Sequence, residues 1–180
     1  MPNQLEWRLN EKEMSEPHLA FLSLGSNIQP EVNLVSAIQL LKRNGNIDKI
    51  SNVWESKSVG AEGPNYLNAC ISYRTLFTQT ALKEQVLLPI EKELGRKRTE
   101  NKFAPRTMDI DIVIFDDKPC DDRYWEQAFV VIPLAEIHPD FENPITHESI
   151  LETATRLRKE IWMEARPGIS SQLRGNQSPA

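Results

Sequence analysis

The stretch Ala104-Pro105-Arg106-Thr107-Met108-Asp109-Ile110-Asp111-Ile112-Val113-Ile114-Phe115 constrains the fold more than any other part of this 180-residue chain. It alternates, with Asp109 and Asp111 on one face and Ile110, Ile112 and Ile114 on the other, which is the period of a half-buried strand. At a rise of ~3.3 Å per residue, carboxylates at i and i+2 stand roughly 6–7 Å apart and point the same way. Hard oxygen ligands so placed suit one or two Mg²⁺ ions, and Arg106 just upstream adds a fixed cation. A solvated polar face on an amphipathic strand has the same pattern, so the strand by itself leaves both readings open.

The other elements follow from periodicity and punctuation. Leu19-Ala20-Phe21-Leu22-Ser23-Leu24 is a short apolar strand ended by Gly25-Ser26-Asn27, a strand-to-helix turn that also suits an anion. Leu34, Ala37, Ile38 and Leu41 mark an amphipathic helix between Glu31 and Asn44, stopped by Asn44-Gly45. A second strand is predicted from about Ile47 to Glu55 and a third from Tyr66 to Tyr73. The Ser56–Asn65 loop between them is longer than a hairpin needs, and such loops often carry function. Leu82, Val86, Ile90 and Leu94 stripe a second helix over Thr80–Leu94, ended by Gly95. Pro89 lies inside it and predicts a kink, because an interior proline removes a donor and costs ~3 kcal/mol. Arg96, Lys97, Arg98 and Lys102 then lead into the acidic strand.

After Phe115 come an acidic loop over Asp116–Gln127, an apolar segment over Ala128–Leu134, and a helix from Ser149 to about Trp162 with Ile150, Ala154, Leu157 and Ile161 in register. The expected organisation is an N-terminal extension over 1–17, one domain over 18–164 and a flexible tail over 165–180, where Pro167, Gly168, Gly175 and Pro179 accumulate. The element order predicts an α+β, ferredoxin-like βαββαβ sandwich, an antiparallel sheet with helices on one face plus a C-terminal helix.

Charge and composition narrow the function. A net charge of −5 argues against a general nucleic-acid binder. Two cysteines, Cys70 and Cys120, make neither a disulfide framework nor a four-ligand zinc site, and Cys70 reads as a small buried hydrophobe. No apolar run approaches the ~18–20 residues that cross a bilayer, and the charged N-terminus is no signal peptide. These features predict a cytoplasmic protein with no membrane partner. The absence of a Gly-rich loop ending in Lys-Ser/Thr excludes a P-loop kinase.

Four blocks carry a family likeness, in order and spacing: Leu24-Gly25-Ser26-Asn27, Tyr66-Leu67-Asn68-Ala69, Ile90-Glu91 with Leu94-Gly95-Arg96, and Pro105-Arg106-Thr107-Met108-Asp109-Ile110-Asp111. From Leu19 to about Leu157 the chain resembles the 6-hydroxymethyl-7,8-dihydropterin pyrophosphokinases of folate biosynthesis. The resemblance implies transfer of the β,γ-diphosphate of ATP to the pterin's hydroxymethyl oxygen, releasing AMP. It implies two Mg²⁺ ions on Asp109 and Asp111, with Arg96 and Arg106 neutralising phosphate charge. Tyr66 and Phe129 would sandwich the pterin ring, while Asn68 and backbone groups from Ser56 to Val59 read its edge. Glu91, Lys102 and Ile112 would join Arg96 and Arg106 around the nucleotide. Pterin and ATP are then the partners of a monomer or weak dimer. Singly, each residue has a plainer role: core for the aromatics, a turn for Asn68, surface charge for the arginines, and a helix pairing for Glu91.

The chain departs from the family's pattern after the acidic strand. No histidine lies between Asp116 and Ala128, where a Pro-His pair is usual, and Gln127 stands in place of an arginine. Phe103, Ala104 and Leu88 replace a usual tryptophan, glycine and polar residue. Lys102, Lys118 and Arg123 are the cations available to compensate. The alternatives to the full activity are a weakened pterin-binding paralogue, acting as sensor or scaffold, and a diphosphokinase for a related heterocyclic alcohol.

Overall fold

The structure, a computed structural model, describes residues 16–58, 63–97 and 104–175. Its frame is an antiparallel sheet in which the expected strands pair as a ferredoxin-like unit. β1 (His18–Ser26) lies between β4 (Tyr66–Thr75) and β5 (Asp109–Phe115). β2 (Asn46–Ile50) pairs with the C-terminal half of β4 and β3 (Trp54–Ser56) with its N-terminal end. The single strand expected over 47–55 is therefore one line of chain in two pieces. The interruption is at Ser51, whose N–H donates to the Cys70 carbonyl (2.9 Å) while its Oγ accepts from the Cys70 N–H (2.9 Å). β6 (Lys118–Pro119) and β7 (Met163–Ala165) extend the sheet, giving the order β6-β5-β1-β4-β3-β7.

Side-chain parity sorts the two faces. On one, Ala20, Leu22, Leu24, Ala69, Ile71, Ile110 and Ile112 pack under α1 (Pro30–Lys42) and α2 (79–93), the two helices of the βαββαβ unit. Helix α2 runs over 79–93 as an α segment Gln79–Leu82, a π segment Lys83–Leu87 and an α segment Leu88–Glu93. The kink expected at Pro89 thus takes the form of a wide turn immediately before it. Proline has no N–H to donate and its ring crowds the preceding turn, so the ladder is relaxed there. On the other face, Phe21, Cys70, Val113 and Ile114 pack under α3 (Ala128–Ile137) and α4 (Ile150–Glu160). Ser149 and Glu152 form a reciprocal capping box at the start of α4.

Three expectations are corrected here. Ile114 does not share a face with Ile110 and Ile112, because the pairing of β1 with β5 shifts by one residue at Phe21/Leu22, opposite Ile114 and Ile112. The bulge leaves Val113 as the extra residue and turns Ile114 toward α3. The segment from Ala165 is also not a flexible tail through residue 174. Ala165 ends β7, and α5 (Pro167–Arg174) follows, with Pro167 in its first turn and Ile169 and Leu173 packed into the α1/α2 core one turn apart. Ile161, expected in the α4 stripe, lies past the helix end and is exposed. Residues 1–15 of the 1–17 extension, 59–62, 98–103 and 176–180 lie outside the described residues.

Candidate active site

The polar positions of three strands meet at one end of the sheet. In the β-ladder Gly25 faces Asn68 on one side and Asp109 on the other, and Ser56 faces Tyr66. Gly25 is small for a local reason: a Cβ there would stand 3.3 Å from Asn68 Oδ1. Asn68 is 3% exposed and its amide donates to Ser56 Oγ (2.9 Å) and the Trp54 carbonyl (3.3 Å). Tyr66, two residues earlier on the same face, is half-buried. Burial pushes its hydroxyl above the usual tyrosine range, the Arg106 and Arg96 guanidinium groups pull it down, and Asp109 pushes it up. Tyr66 therefore stands within the field of the acidic strand.

Asp109 is bracketed by two cations. One carboxylate oxygen accepts from Arg96 Nη1 and the other from Arg106 Nη1. Arg96 Nη1 also donates to the Met108 carbonyl (3.1 Å) and reaches Glu91 Oε1 at 3.5 Å. Gly95, at φ +83°, makes the left-handed turn that brings Arg96 back beside α2, where its N–H donates to the Glu91 carbonyl (2.9 Å). Glu91 is 5% exposed and accepts the Ile110 N–H (2.9 Å). Burial raises its carboxyl above the ordinary range, partly opposed by that N–H and by Arg96. Asp111, opposite Ser23, is likewise pushed up by burial first and the Asp109 charge second, with Lys83, Arg96 and Arg106 opposing.

Arg106 is fixed through its backbone by the turn after β1. Its carbonyl accepts from the Asn27 and Ile28 N–H groups (3.0 and 3.2 Å), and its N–H donates to Asn27 Oδ1 (2.7 Å). Ser26 Oγ donates to the Thr107 carbonyl (2.6 Å). The Gly25-Ser26-Asn27 turn therefore grips the approach to β5 and does not present these N–H groups to an anion.

The sequence-predicted residues divide accordingly. Arg96, Arg106, Asp109, Asp111, Glu91, Tyr66, Asn68 and Ser56 gather at this end of the sheet. Ile112 does not: its side chain is 7% exposed and belongs to the α1/α2 core, because it has the opposite parity to Asp109 and Asp111. Phe129 is the second residue of α3, half-buried against the cluster between α3 and the sheet. Val59, Lys102 and Phe103 lie outside the described residues. Two residues that sequence reasoning did not single out are Lys83 and Tyr124. Lys83, on the π segment, lowers the Asp111 pKa, and Asp111 in turn adds to the burial that raises the Tyr124 hydroxyl. Helical spacing gave no sign of Lys83, since a π turn shifts the face on which its residues emerge.

On the segment 116–127, Arg123 is held by Asp121. The Asp121 carboxylate caps the 3₁₀ turn Asp122–Glu126 by accepting the Arg123 N–H (2.9 Å) and also takes the Arg123 guanidinium at Nε (2.9 and 3.0 Å) and Nη2. Gln127 closes that turn and starts α3, its carbonyl accepting from the Val130 and Val131 N–H groups (both 2.9 Å).

Among the described residues no three His, Cys, Asp or Glu side chains cluster as a metal cage. Paired carboxylates such as Asp109 and Asp111 suit the way Mg²⁺ is held in phosphoryl-transfer sites, by one or two carboxylates with water and substrate phosphate completing the shell. No helix among the described residues is long and apolar enough to cross a membrane.

Residues 21–139 match the family 7,8-dihydro-6-hydroxymethylpterin-pyrophosphokinase (HPPK). The chain is 32% identical to the 2-amino-4-hydroxy-6-hydroxymethyldihydropteridine pyrophosphokinase of Synechocystis, over 90% of this chain and 87% of that protein. It is 32% identical to the Bacillus subtilis protein of the same name, over 79% and 92% of the two chains. Among solved structures, Plasmodium falciparum HPPK-DHPS with pterin and p-hydroxybenzoate superposes with a TM-score of 0.63 at 12% identity, over 85% of this chain and 46% of that one, a likeness of fold. The chain belongs to the 7,8-dihydro-6-hydroxymethylpterin-pyrophosphokinase family.

Proposed function

We propose that this protein transfers the β,γ-diphosphate of ATP to the hydroxymethyl oxygen of 6-hydroxymethyl-7,8-dihydropterin, in folate biosynthesis. The alcohol oxygen forms a bond to the β-phosphorus, the bond from that phosphorus to the α-phosphate oxygen breaks, AMP leaves, and the alcohol proton passes to solvent. The observation that carries this reading is the convergence of Asp109, Asp111, Arg96 and Arg106 beside Tyr66 and Asn68 at one end of the sheet.

Asp109 and Asp111 are the residues that would hold Mg²⁺, with two ions expected. A metal bound there would supply acidification of the attacking alcohol and neutralisation of charge moving between phosphates, so the chain would need no separate general base. Arg96 and Arg106 offer forked donors that match phosphate oxygens. Glu91 keeps Arg96 and the Ile110 N–H in place beneath them. Tyr66 stacks on the pterin with Phe129 opposing it, while Asn68 and the backbone from Ser56 toward Val59 read the edge of the ring. Lys102 adds charge on the nucleotide side.

A cytoplasmic setting supplies ATP and magnesium to a monomer or weak dimer, and the net charge of −5 argues against a nucleic-acid partner. The test is steady-state formation of AMP from Mg-ATP with and without the dihydropterin alcohol. Pterin-dependent AMP is the expected result. Calorimetric binding of pterin with no AMP above the blank would overturn transfer and leave a pterin-binding paralogue.

A further inference from the structure

The C-terminal segment grips the pterin-reading strand from behind. β7 pairs with β3 so that Trp54 faces Ala165, Glu55 faces Glu164 and Ser56 faces Met163. Beyond the strand, the Arg166 N–H donates to the Val53 carbonyl (2.8 Å), and the Val53 N–H donates to Ser170 Oγ (2.8 Å). Parity places Trp54 and Ser56 on the face that carries Asn68 and turns Glu55 to the reverse.

There the Glu55 carboxylate is a two-sided bridge. Oε2 accepts from the Arg166 guanidinium through Nε and Nη2, and Oε1 accepts from Asn65 Nδ2 (2.7 Å). The Glu55 side chain is only 14% exposed, so the pair is largely shielded on that side. Asn65 immediately precedes Tyr66 and closes the long loop out of β3. The carbonyl of its neighbour Pro64 accepts from Asn27 Nδ2 (3.3 Å), and Asn27 Oδ1 accepts the Arg106 N–H. A long loop has many conformations, and its return point stays fixed only where side chains hold it. The Arg166–Glu55–Asn65 bridge supplies that hold at the residue before the stacking tyrosine.

We propose that Arg166 and Glu55 are positioning residues for pterin binding: through Asn65 they fix the start of β4 at Tyr66 and the seat of Ser56 against Asn68 without touching substrate. This rests on reading this end of the sheet as the pterin subsite. Arg166 directs two N–H donors, Nε and Nη2, at the one oxygen Oε2 and leaves Oε1 to Asn65, whereas a lysine would keep the charge without that pair of fixed donors.

The test is steady-state kinetics on full-length Arg166→Ala, Arg166→Lys, Glu55→Ala, Asn65→Ala and the Arg166→Ala/Glu55→Ala pair, with Tm measured for each. Each single alanine variant raises the pterin KM about 5–10-fold, with kcat and the ATP KM within twofold. The double variant is no worse than the poorer single, because both belong to one bridge. Arg166→Lys recovers part of the loss. Asn65→Ala removes an exposed loop side chain, so it carries the test even if Arg166→Ala fails to fold. An active wild type whose Asn65→Ala and Glu55→Ala variants keep the pterin KM overturns the inference alone, as does a general fall in kcat and rise in both KM values. A wild type with no pterin-dependent AMP overturns the proposed function and this inference with it.

Discussion

The two ends of β5 are built on different plans. Where the strand begins, Asp109 is met by Arg96 and Arg106, and behind them stand Glu91 from α2 and Asn27 from the turn after β1, so the charges are tied through distant parts of the chain. Beyond its end, Arg123 is tied to Asp121 two residues away, with its side chain 83% exposed. Long-range ties hold a group against motion, whereas a local exposed pair contributes little and is screened by salt. Chemistry that needs exact placement is therefore better served by the first end than by the second.

The largest break in that contrast comes from the carboxylates. Asp109→Ala and Asp111→Ala each lower kcat at least ~10³-fold, equivalent to about 4 kcal/mol of transition-state stabilisation, with Tm nearly unchanged. Full Mg²⁺-dependent turnover in either variant would remove the metal assignment. Arg96→Ala and Arg106→Ala come next, at roughly 10²-fold in kcat, the usual loss of a donor aimed at developing charge, and Arg106→Lys recovers little because the fork is lost. Single-turnover rates read this without interference from product release.

Glu91→Gln sharpens the comparison by separating rate from stability. The folded-state pKa of Glu91 is raised, so its contribution to stability is fully present below its unfolded value and is lost as pH rises from that value through the folded one. Above the folded value the neutral amide therefore keeps or raises Tm, while kcat falls about 10-fold because Arg96 and the Ile110 N–H lose a charged partner. A fall in both would show the carboxylate to be a structural ion pair. Lys83→Ala has a smaller effect, about 5-fold on the ATP KM, as expected for a cation acting on Asp111 across partly screened space. Arg123→Ala stays within about twofold in every constant, the mark of an exposed local pair. A tenfold loss there would show that the second end grips the nucleotide after all.

The core and the paired carboxylates were legible in the sequence because they follow from patterns: a period of 3.6 for α1 and α4, a period of two for the start of β5, and a continuous apolar run for β1. What escaped depends on single residues that break a period. The bulge that turns Ile114 over is set by the pairing of β1 with β5, while the π turn that brings Lys83 toward Asp111 and the left-handed Gly95 that folds Arg96 back each shift a face that regular helical spacing assumes. Helix α5 escaped for a related reason. Pro167, Gly168, Gly175 and Pro179 in and after it read as loop, and it is held by two apolar residues and by Arg166 and Ser170, whose partners lie over a hundred residues away.

The most direct test of the account is phosphorus NMR of the wild-type protein with Mg-ATP and 6-hydroxymethyl-7,8-dihydropterin. The prediction is loss of ATP matched one for one by AMP and by a pterin carrying a diphosphate, with no such signals in Asp109→Ala. Formation of ADP with a singly phosphorylated pterin, or ATP consumption that ignores the pterin, would contradict it.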